Sequence, residues 1–283
     1  MTGRNGSAIA HAPAIARRLG ARGSRIMHDW LAHRTGHALN IAHRGGVDAY
    51  GPDLLDAVSR SVVAGADAIE LDVQTTRDQQ LVVFHDRFLR TPAGLRRMGA
   101  LTLAEARGVG HDGATRTIPA LADVLEHVRP LGIRVLLDLK SNDAATELVR
   151  LVARARIVDR VAVSSFHYRP LVSVSRDATG IPTIATIGFA RAMGDPQGFL
   201  WTLWAMSAPI RAARAIGARA LLCQARRISA DFAEAVHAEG LALLAWDVTS
   251  STDVRELLRW GVDGIVSGNP AAVHTALDTR TAN

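Results

Sequence analysis

From residue 39 onward, short apolar segments rich in β-branched residues alternate with longer amphipathic segments. The predicted strands are Leu39–His43, Ala68–Val73, Arg134–Leu139, Arg160–Phe166, Pro182–Ile187, Ala220–Cys223, Leu241–Val248 and Gly264–Val266. Their apolar residues are continuous, which indicates strands that are buried on both faces. Eight strand–helix units in about 240 residues predict an α/β fold, a closed parallel (β/α)8 TIM barrel. A doubly wound open sheet is the alternative.

One interval between apolar runs is too short for a crossover helix. Only residues 74–80 separate the second strand from the run Leu81–His85, whereas a parallel crossover needs a dozen residues or more. We therefore predict a short β-hairpin excursion after strand 2. It would bring His85 near the carboxyl ends of the strands, where the active sites of such barrels lie.

The positive charge of the chain is concentrated at its N-terminus. The 283 residues carry a formal charge of +6, and residues 1–38 hold six arginines against the single acid Asp29. We predict a basic N-terminal extension (1–38), containing one amphipathic helix (Ser24–Leu39), and a barrel domain (39–283). The nearly neutral barrel argues against nucleic-acid binding. The extension is a candidate for peripheral contact with an anionic membrane surface.

Other features of the sequence indicate the cellular location of the protein. The single cysteine, Cys223, excludes an internal disulfide and a thiolate metal cluster. The sequence lacks a membrane-spanning run of about 18 apolar residues and an apolar segment of signal-peptide type. We therefore expect a cytoplasmic protein, and the sequence does not indicate its oligomeric state.

Polar segments follow the first three strands and the hairpin. They are His43-Arg44-Gly45-Gly46, Glu70-Leu71-Asp72, His85-Asp86 and Asp138-Leu139-Lys140. Three carboxylates at one barrel mouth repel one another and are usually tolerated around a cation. Because the ligands are oxygens, we predict one divalent cation, Mg²⁺ or Ca²⁺. The alternatives are a salt bridge from Asp138 to Arg134 or Lys140, and structural roles for the two histidines.

Two histidines beside a hard cation indicate acid/base chemistry on a group that the cation polarises, and a phosphodiester fits best. Its oxygens would meet the cation, Arg44 and Lys140, while Gly45-Gly46 would let the backbone approach the phosphate. Lys140 is the only lysine among 33 basic residues. It is therefore a candidate for a position that needs a compact charge.

A series of short motifs follows the barrel order. It comprises His43-Arg44-Gly45-Gly46, Gly65-Ala66-Asp67, Glu70-Leu71-Asp72-Val73, His85-Asp86, Thr117-Ile118-Pro119-Ala120-Leu121, Ser165-Phe166, Trp246-Asp247-Val248 and Gly261-Val262-Asp263-Gly264-Ile265-Val266. The series resembles the glycerophosphodiester phosphodiesterase family over most of the chain. Each motif is weak alone, but their shared order is a strong signal.

The resemblance implies hydrolysis of glycerophosphodiesters to glycerol phosphate and an alcohol, with one divalent cation. By motif position, His43 and His85 would be the catalytic residues, and Glu70, Asp72 and Asp138 would be the metal ligands. Arg44 and Lys140 would bind the phosphate, and Trp246 would line the pocket. The substrate would be a small-molecule or lipid-derived phosphodiester. The resemblance leaves open which alcohol is released, and whether water or a substrate hydroxyl attacks first.

The chain departs from the family pattern at two places. Gly51-Pro52-Asp53-Leu54 stands where the family has Pro-Glu-Asn-Thr, and Asp53 could fill part of that role. Asp138 stands where the family usually has glutamate. These departures also resemble the related sphingomyelinase D type phospholipases, which are the alternative enzyme class. A barrel that binds a phosphorylated ligand without turnover is the non-enzymatic alternative.

An aromatic-rich segment, residues 197–206, follows the fifth predicted strand and contains Trp201 and Trp204. Such a segment could form a lid or contact an apolar substrate tail. Helix packing against the barrel is the favoured interpretation.

Overall fold

Eight parallel strands close into a barrel in the computed structural model, which describes residues 30–31, 38–109, 118–188, 204–248 and 250–281. In chain order, the described strands are β1 (Leu39–Ala42), β2 (Ala68–Thr75), β3 (Leu81–Val83), β4 (Phe88–Thr91), β5 (Gly94–Arg97), β6 (Arg134–Leu139), β7 (Val161–Ser165), β8 (Thr183–Ile187), β9 (Ala220–Gln224), β10 (Ala242–Trp246) and β11 (Gly264–Ser267). All of them except β3, β4 and β5 belong to the barrel. β1 pairs in parallel with both β11 and β2 and so closes the barrel. The predicted (β/α)8 TIM barrel is confirmed, and an open sheet is excluded.

The described helices surround this barrel. They are α1 (Val47–Tyr50), α2 (Leu54–Val63), α3 (Leu103–Gly108), α4 (Leu121–Leu131), α5 (Ala145–Ala155), α6 (Tyr168–Ser175), α7 (Pro209–Ala215), α8 (Ala230–Ala238), α9 (Ser251–Arg259) and α10 (Pro270–Thr281). Helix α4 includes Pro130 in its last turn and ends at Leu131, because Gly132 follows with a φ of 68° that breaks the helical backbone. Within the described ranges, no helix is both long and apolar enough to cross a bilayer.

Alternation along the strands sends the acidic side chains into the barrel. Leu71 of β2 packs in the apolar layer between strands and helices, so its neighbours Glu70 and Asp72 face the barrel interior. In β6, Leu136 faces that interior, and so does Asp138, two residues on. The parallel register pairs Asp72 with Asp138. Acidic groups from both strands are therefore at the same level of the barrel.

β2 forms one hairpin with β3, and a second hairpin follows. β3 turns back antiparallel on β2, as the short interval predicts, with Val73 opposite Val83. β4 and β5 form a separate two-stranded antiparallel sheet that the sequence did not predict. Of the residues in these two strands, only Leu89 is buried. The hairpin therefore has no continuous apolar run of the kind that identified the barrel strands.

Trp30 closes the amino-terminal end of the barrel. Its side chain is fully buried among interior residues that include Leu39 and Leu136. Its indole Nε1 donates a hydrogen bond of 3.1 Å to the carbonyl oxygen of Arg160, just before β7. Most of the predicted helix Ser24–Leu39 lies outside the described residues, but Leu39 itself begins β1. The division of the chain at residue 38 stays a prediction.

Candidate active site

A pocket of about 630 Å³ opens at the carboxyl ends of the barrel strands. All eight predicted site residues line it: His43, Arg44, Glu70, Asp72, His85, Asp138, Lys140 and Trp246. The pocket is within the size range of small-molecule sites. The barrel therefore brings together residues as far apart in the sequence as His43 and Trp246.

The carboxylates of Glu70, Asp72 and Asp138 form a buried cluster. Each residue is at most 5% exposed, and one ligand atom from each lies within 4.8 Å of the other two. The hydroxyl of Ser164, on the neighbouring strand β7, donates a 2.7 Å hydrogen bond to Asp138 Oδ1. Three oxygen donors at this spacing could hold a hard divalent cation.

Two cationic side chains contact this cluster. Lys140 Nζ contacts Asp138 and lies 2.8 Å from Asp72 Oδ1. Arg44 Nε lies 3.6 Å from Asp72 Oδ2, and the backbone N–H of Arg44 donates a 2.9 Å hydrogen bond to Glu70 Oε2. The alternative salt bridge between Asp138 and Lys140 is thus present. Both predicted phosphate-binding residues are paired with carboxylates.

The protonation of the cluster follows from its burial and its charges. Burial, and then the neighbouring Asp72 carboxylate, raise the pKa of Glu70 well above its usual range. Burial alone would raise the pKa of Asp72, but Lys140, His85 and Arg44 lower it. Burial alone would lower the pKa of Lys140, whereas Asp138, Asp72 and Glu70 raise it. A bound cation would therefore stabilise the ionised carboxylates of this cluster, and their oxygen atoms are suitable ligands for a divalent cation.

Each histidine of the pocket has a carboxylate at its Nδ1 atom. His43 Nδ1 lies 3.3 Å from Asp48 Oδ2, and His85 Nδ1 lies 2.8 Å from Asp86 Oδ1. Such a partner orients an imidazole and leaves its Nε2 available for proton transfer. Burial, followed by the charge of Arg44, lowers the pKa of His43. Its ring is thereby kept neutral and able to accept a proton near neutral pH.

The turn after β1 explains the glycines beside His43. Arg44, Gly45 and Gly46 all have positive φ values. A Cβ atom on Gly46 would lie 2.0 Å from Ser61 Oγ, and one on Gly45 would lie 2.8 Å from Leu54 Cδ1. Both glycines are buried against α2. The structure therefore gives both glycines a packing role, and the approach of this backbone to a phosphate stays a prediction.

Gln74 connects β2 to the loop that carries His85. Its side-chain Nε2 donates hydrogen bonds of 2.7 Å to the carbonyl of Phe84 and 2.8 Å to that of Asp86. Sequence reasoning missed Gln74 and Asp48. The available signal for Gln74 was a polar residue at an inward-facing position of a buried strand, two residues beyond Asp72.

Aromatic side chains form one wall of the pocket. The rings of Phe166 and Trp246 meet edge to face, with centroids 5.9 Å apart. Lys140 Nζ lies 5.8 Å from the Phe166 centroid. Trp201 lies outside the described residues, and Trp204 is 40% exposed.

Asp53, which the sequence offered as a partial replacement for the missing Pro-Glu-Asn-Thr segment, has a different position. Its carboxylate accepts hydrogen bonds of 3.0 and 3.1 Å from the backbone N–H groups of Leu55 and Asp56. It is therefore the N-cap of α2. Asp53 is absent from the described lining of the pocket, so that suggestion was wrong.

Comparisons with known proteins identify the family of the chain. Residues 43–272 match the sequence profile of the Glycerophosphoryl diester phosphodiesterase family. A glycerophosphodiester phosphodiesterase of Caldanaerobacter subterraneus subsp. tengcongensis is 28% identical over 244 residues, which cover 82% of this chain and 94% of that protein.

Solved structures share the fold. A glycerophosphodiester phosphodiesterase from Parabacteroides distasonis has a TM-score of 0.70 and 22% identity, and the match covers 85% of this chain and 97% of that one. An Oleispira antarctica phosphodiesterase, in complex with the product sn-glycerol-3-phosphate, has a TM-score of 0.71 and 22% identity, with 84% and 96% of the two chains covered. Together, the family match and the curated relative establish that this chain belongs to the glycerophosphoryl diester phosphodiesterase family and is a phosphoric diester hydrolase.

Proposed function

We propose that the chain hydrolyses glycerophosphodiesters to glycerol phosphate and an alcohol, with His43 and His85 as the acid/base pair. The observation that carries this proposal is the pairing of two imidazoles, each with a carboxylate at Nδ1, beside a buried acidic cluster in one pocket. The Caldanaerobacter relative, which carries the activity in its name, supports the substrate class. The product bound to the Oleispira enzyme supports it too.

The two imidazoles divide the proton transfers of the reaction. One histidine accepts the proton of the attacking oxygen as that oxygen bonds to phosphorus. The other donates a proton to the leaving alkoxide as its P–O bond breaks, so the alcohol departs neutral. The attacking oxygen belongs to water or to a glycerol hydroxyl; in the second case the cyclic phosphate that forms is then opened by water, with the roles of the two histidines exchanged. The lowered pKa of His43 favours it as the proton acceptor. His85, oriented by Asp86, then serves as the proton donor.

The cationic side chains neutralise the phosphate. Lys140 and Arg44 lie at the carboxylate cluster and line the pocket. They can bind the non-bridging oxygens of a phosphodiester, on which negative charge builds during the reaction. Glu70, Asp72 and Asp138 would hold one divalent cation, Mg²⁺ or Ca²⁺. When bound, it supplies Lewis-acid polarisation of the phosphoryl oxygens.

Release of glycerol phosphate tests this proposal. The full chain is incubated with glycerophosphocholine or glycerophosphoglycerol, after EDTA treatment, with and without added Mg²⁺ or Ca²⁺. We expect cation-dependent release, and a loss on the order of a hundredfold or more in turnover for His43→Ala and His85→Ala with folding retained. His127→Ala, remote from the described pocket lining, is the control.

Other outcomes identify the alternatives. Cleavage of lysophosphatidylcholine or sphingomyelin, with no release from the water-soluble diesters, would favour a sphingomyelinase D-like phospholipase. Saturable binding of glycerol phosphate without cleavage of any diester would favour a non-catalytic phosphate-binding barrel. Either result would contradict the proposal.

A further inference from the structure

The β4–β5 hairpin presents one face of alternating apolar and cationic side chains. Antiparallel pairing sets Phe88 opposite Arg97 and Arg90 opposite Leu95. Since side chains alternate between the two faces of a strand pair, these four residues share one face. All four are exposed, Phe88 by 42% and Leu95 by 60%. We call this set the hairpin outer face.

The opposite face of the hairpin fixes the direction of the outer face. Leu89 lies on that opposite face, is 1% exposed, and packs with Phe84, Met98 and Leu101 in a separate apolar cluster. This packing attaches the hairpin to the body of the protein. The outer face is therefore held toward solvent by the fold.

Charge and apolar surface coincide on this hairpin. Residues 87–104 contain four arginines and no acidic residue. The guanidinium carbons of Arg87 and Arg97 lie 5.8 and 5.7 Å from the centroid of the Phe88 ring, within the range of cation–π contact. Exposed aromatic and aliphatic groups thus lie among cationic side chains on this hairpin, which Asp86 and Glu105 flank.

The hairpin lies beside the active-site pocket. Phe88 is three residues beyond His85, which lines the pocket. Because an extended chain spans at most about 3.6 Å per residue, the outer face begins within roughly 11 Å of that histidine. A surface bound by the hairpin would adjoin the entrance to the catalytic centre.

We propose that the hairpin outer face binds the surface of an anionic lipid bilayer. Phe88 and Leu95 enter the interfacial region, and the arginines pair with lipid phosphates. This combination of apolar and basic side chains is typical of segments that bind anionic interfaces. A partner recognised by charge alone, such as nucleic acid, would leave Phe88 and Leu95 without a role. The surface is distinct from residues 1–38, and its binding does not depend on turnover.

Vesicle binding by the full chain tests this inference. Partition into phosphatidylcholine vesicles, with and without phosphatidylglycerol, is measured by sedimentation at low and high salt. One variant combines Phe88→Ser with Leu95→Ser, and another combines Arg90→Gln with Arg97→Gln. The matched controls are Val63→Ser, at a side chain 90% exposed on α2, and Arg129→Gln combined with Arg154→Gln, on α4 and α5.

We expect salt-sensitive binding that requires phosphatidylglycerol. The arginine variant should lose on the order of thirtyfold in partition coefficient, at the usual contribution of a basic residue near an anionic surface. The serine variant should lose at least about tenfold, and the controls should bind as the unchanged chain does. All variants should keep the thermal stability of the unchanged chain and its activity on a soluble diester.

Three results would overturn the inference. The first is equal binding to neutral and anionic vesicles, and the second is the absence of binding to either. The third is full binding by both hairpin variants, which would place the membrane contact outside the hairpin. None of these readouts requires catalysis, so they are separate from a failure of the proposed hydrolysis.

Discussion

The ammonium nitrogen of Lys140 lies 2.8 Å from Oδ1 of Asp72 and also contacts the carboxylate of Asp138. The ammonium group is thus paired with two of the three carboxylates that would hold the cation. A flexible, compact ammonium can move from these oxygens to a substrate phosphate while remaining in the pocket. In the proposed mechanism, Lys140 therefore connects the acidic cluster to phosphate binding.

Replacement of this lysine tests whether a compact charge is needed. Lys140→Arg should lower kcat/KM for glycerophosphocholine at least about tenfold, because the larger planar guanidinium does not fit the space between two buried carboxylates. Steady-state kinetics measure the effect. Arg60→Lys, in an exposed ion pair with Asp56, is the control and should be neutral. Normal turnover by Lys140→Arg would mean that any cation suffices at this position.

Gln74 should act as a positioning residue for His85. Gln74→Leu removes the hydrogen bonds to the carbonyls of Phe84 and Asp86, which flank the histidine. We expect kcat to fall about tenfold or more with little change in KM, because the proton donor is displaced while phosphate binding is retained. Gln80→Leu, at an exposed position of the same hairpin, is the control. A parallel rise in KM, or an unchanged kcat, would speak against this role.

The fold was predictable because it depends on a repeated local pattern. Strands that are buried on both faces leave continuous apolar runs, and the eight runs in order identified the barrel and its carboxyl-terminal mouth. The short interval before Leu81 was equally informative, since seven residues cannot form a crossover. The acidic cluster and the two histidines followed from the positions of their segments at strand ends.

The missed features depend on contacts between distant residues or on exposed strands. The β4–β5 hairpin buries only Leu89, so it lacks an apolar run. Burial of Trp30 in the barrel depends on the closed interior of the finished fold. The partnership of His43 with Asp48 depends on the left-handed turn at Arg44–Gly46, and the role of Gln74 depends on where the His85 loop ends. None of these has a periodic signature in the sequence.

Trp30 should contribute strongly to stability. It is fully buried in the barrel interior, so Trp30→Ala should lower the free energy of unfolding by about 3–5 kcal/mol through the cavity that it leaves. Urea unfolding followed by far-UV circular dichroism measures this change. Trp204→Ala, at a residue 40% exposed, is the matched control and should change stability by less than about 1 kcal/mol. Equal losses of stability in the two variants would contradict the role of Trp30 in closing the amino-terminal end of the barrel.

Cys223 should report on the pH dependence of stability. Burial raises the pKa of its thiol to about 12, whereas an exposed thiol ionises near 8.5. Between these values the unfolded chain binds fewer protons than the folded chain, so the free energy of unfolding falls as pH rises. The slope above about pH 8.5 should be smaller in Cys223→Ala. Urea melts at pH 8, 9 and 10 would reveal this difference, and identical slopes would contradict the burial of the thiol.

Calorimetric titration of Mg²⁺ and of Ca²⁺ into the chelator-treated full chain tests the acidic cluster most directly. We expect one cation to bind per chain, and we expect this binding to be lost in Glu70→Gln and Asp72→Asn but kept in Glu126→Gln, an exposed site on α4. An isotherm that Glu70→Gln leaves unchanged, or the absence of binding for both cations, would contradict a metal centre formed by Glu70, Asp72 and Asp138.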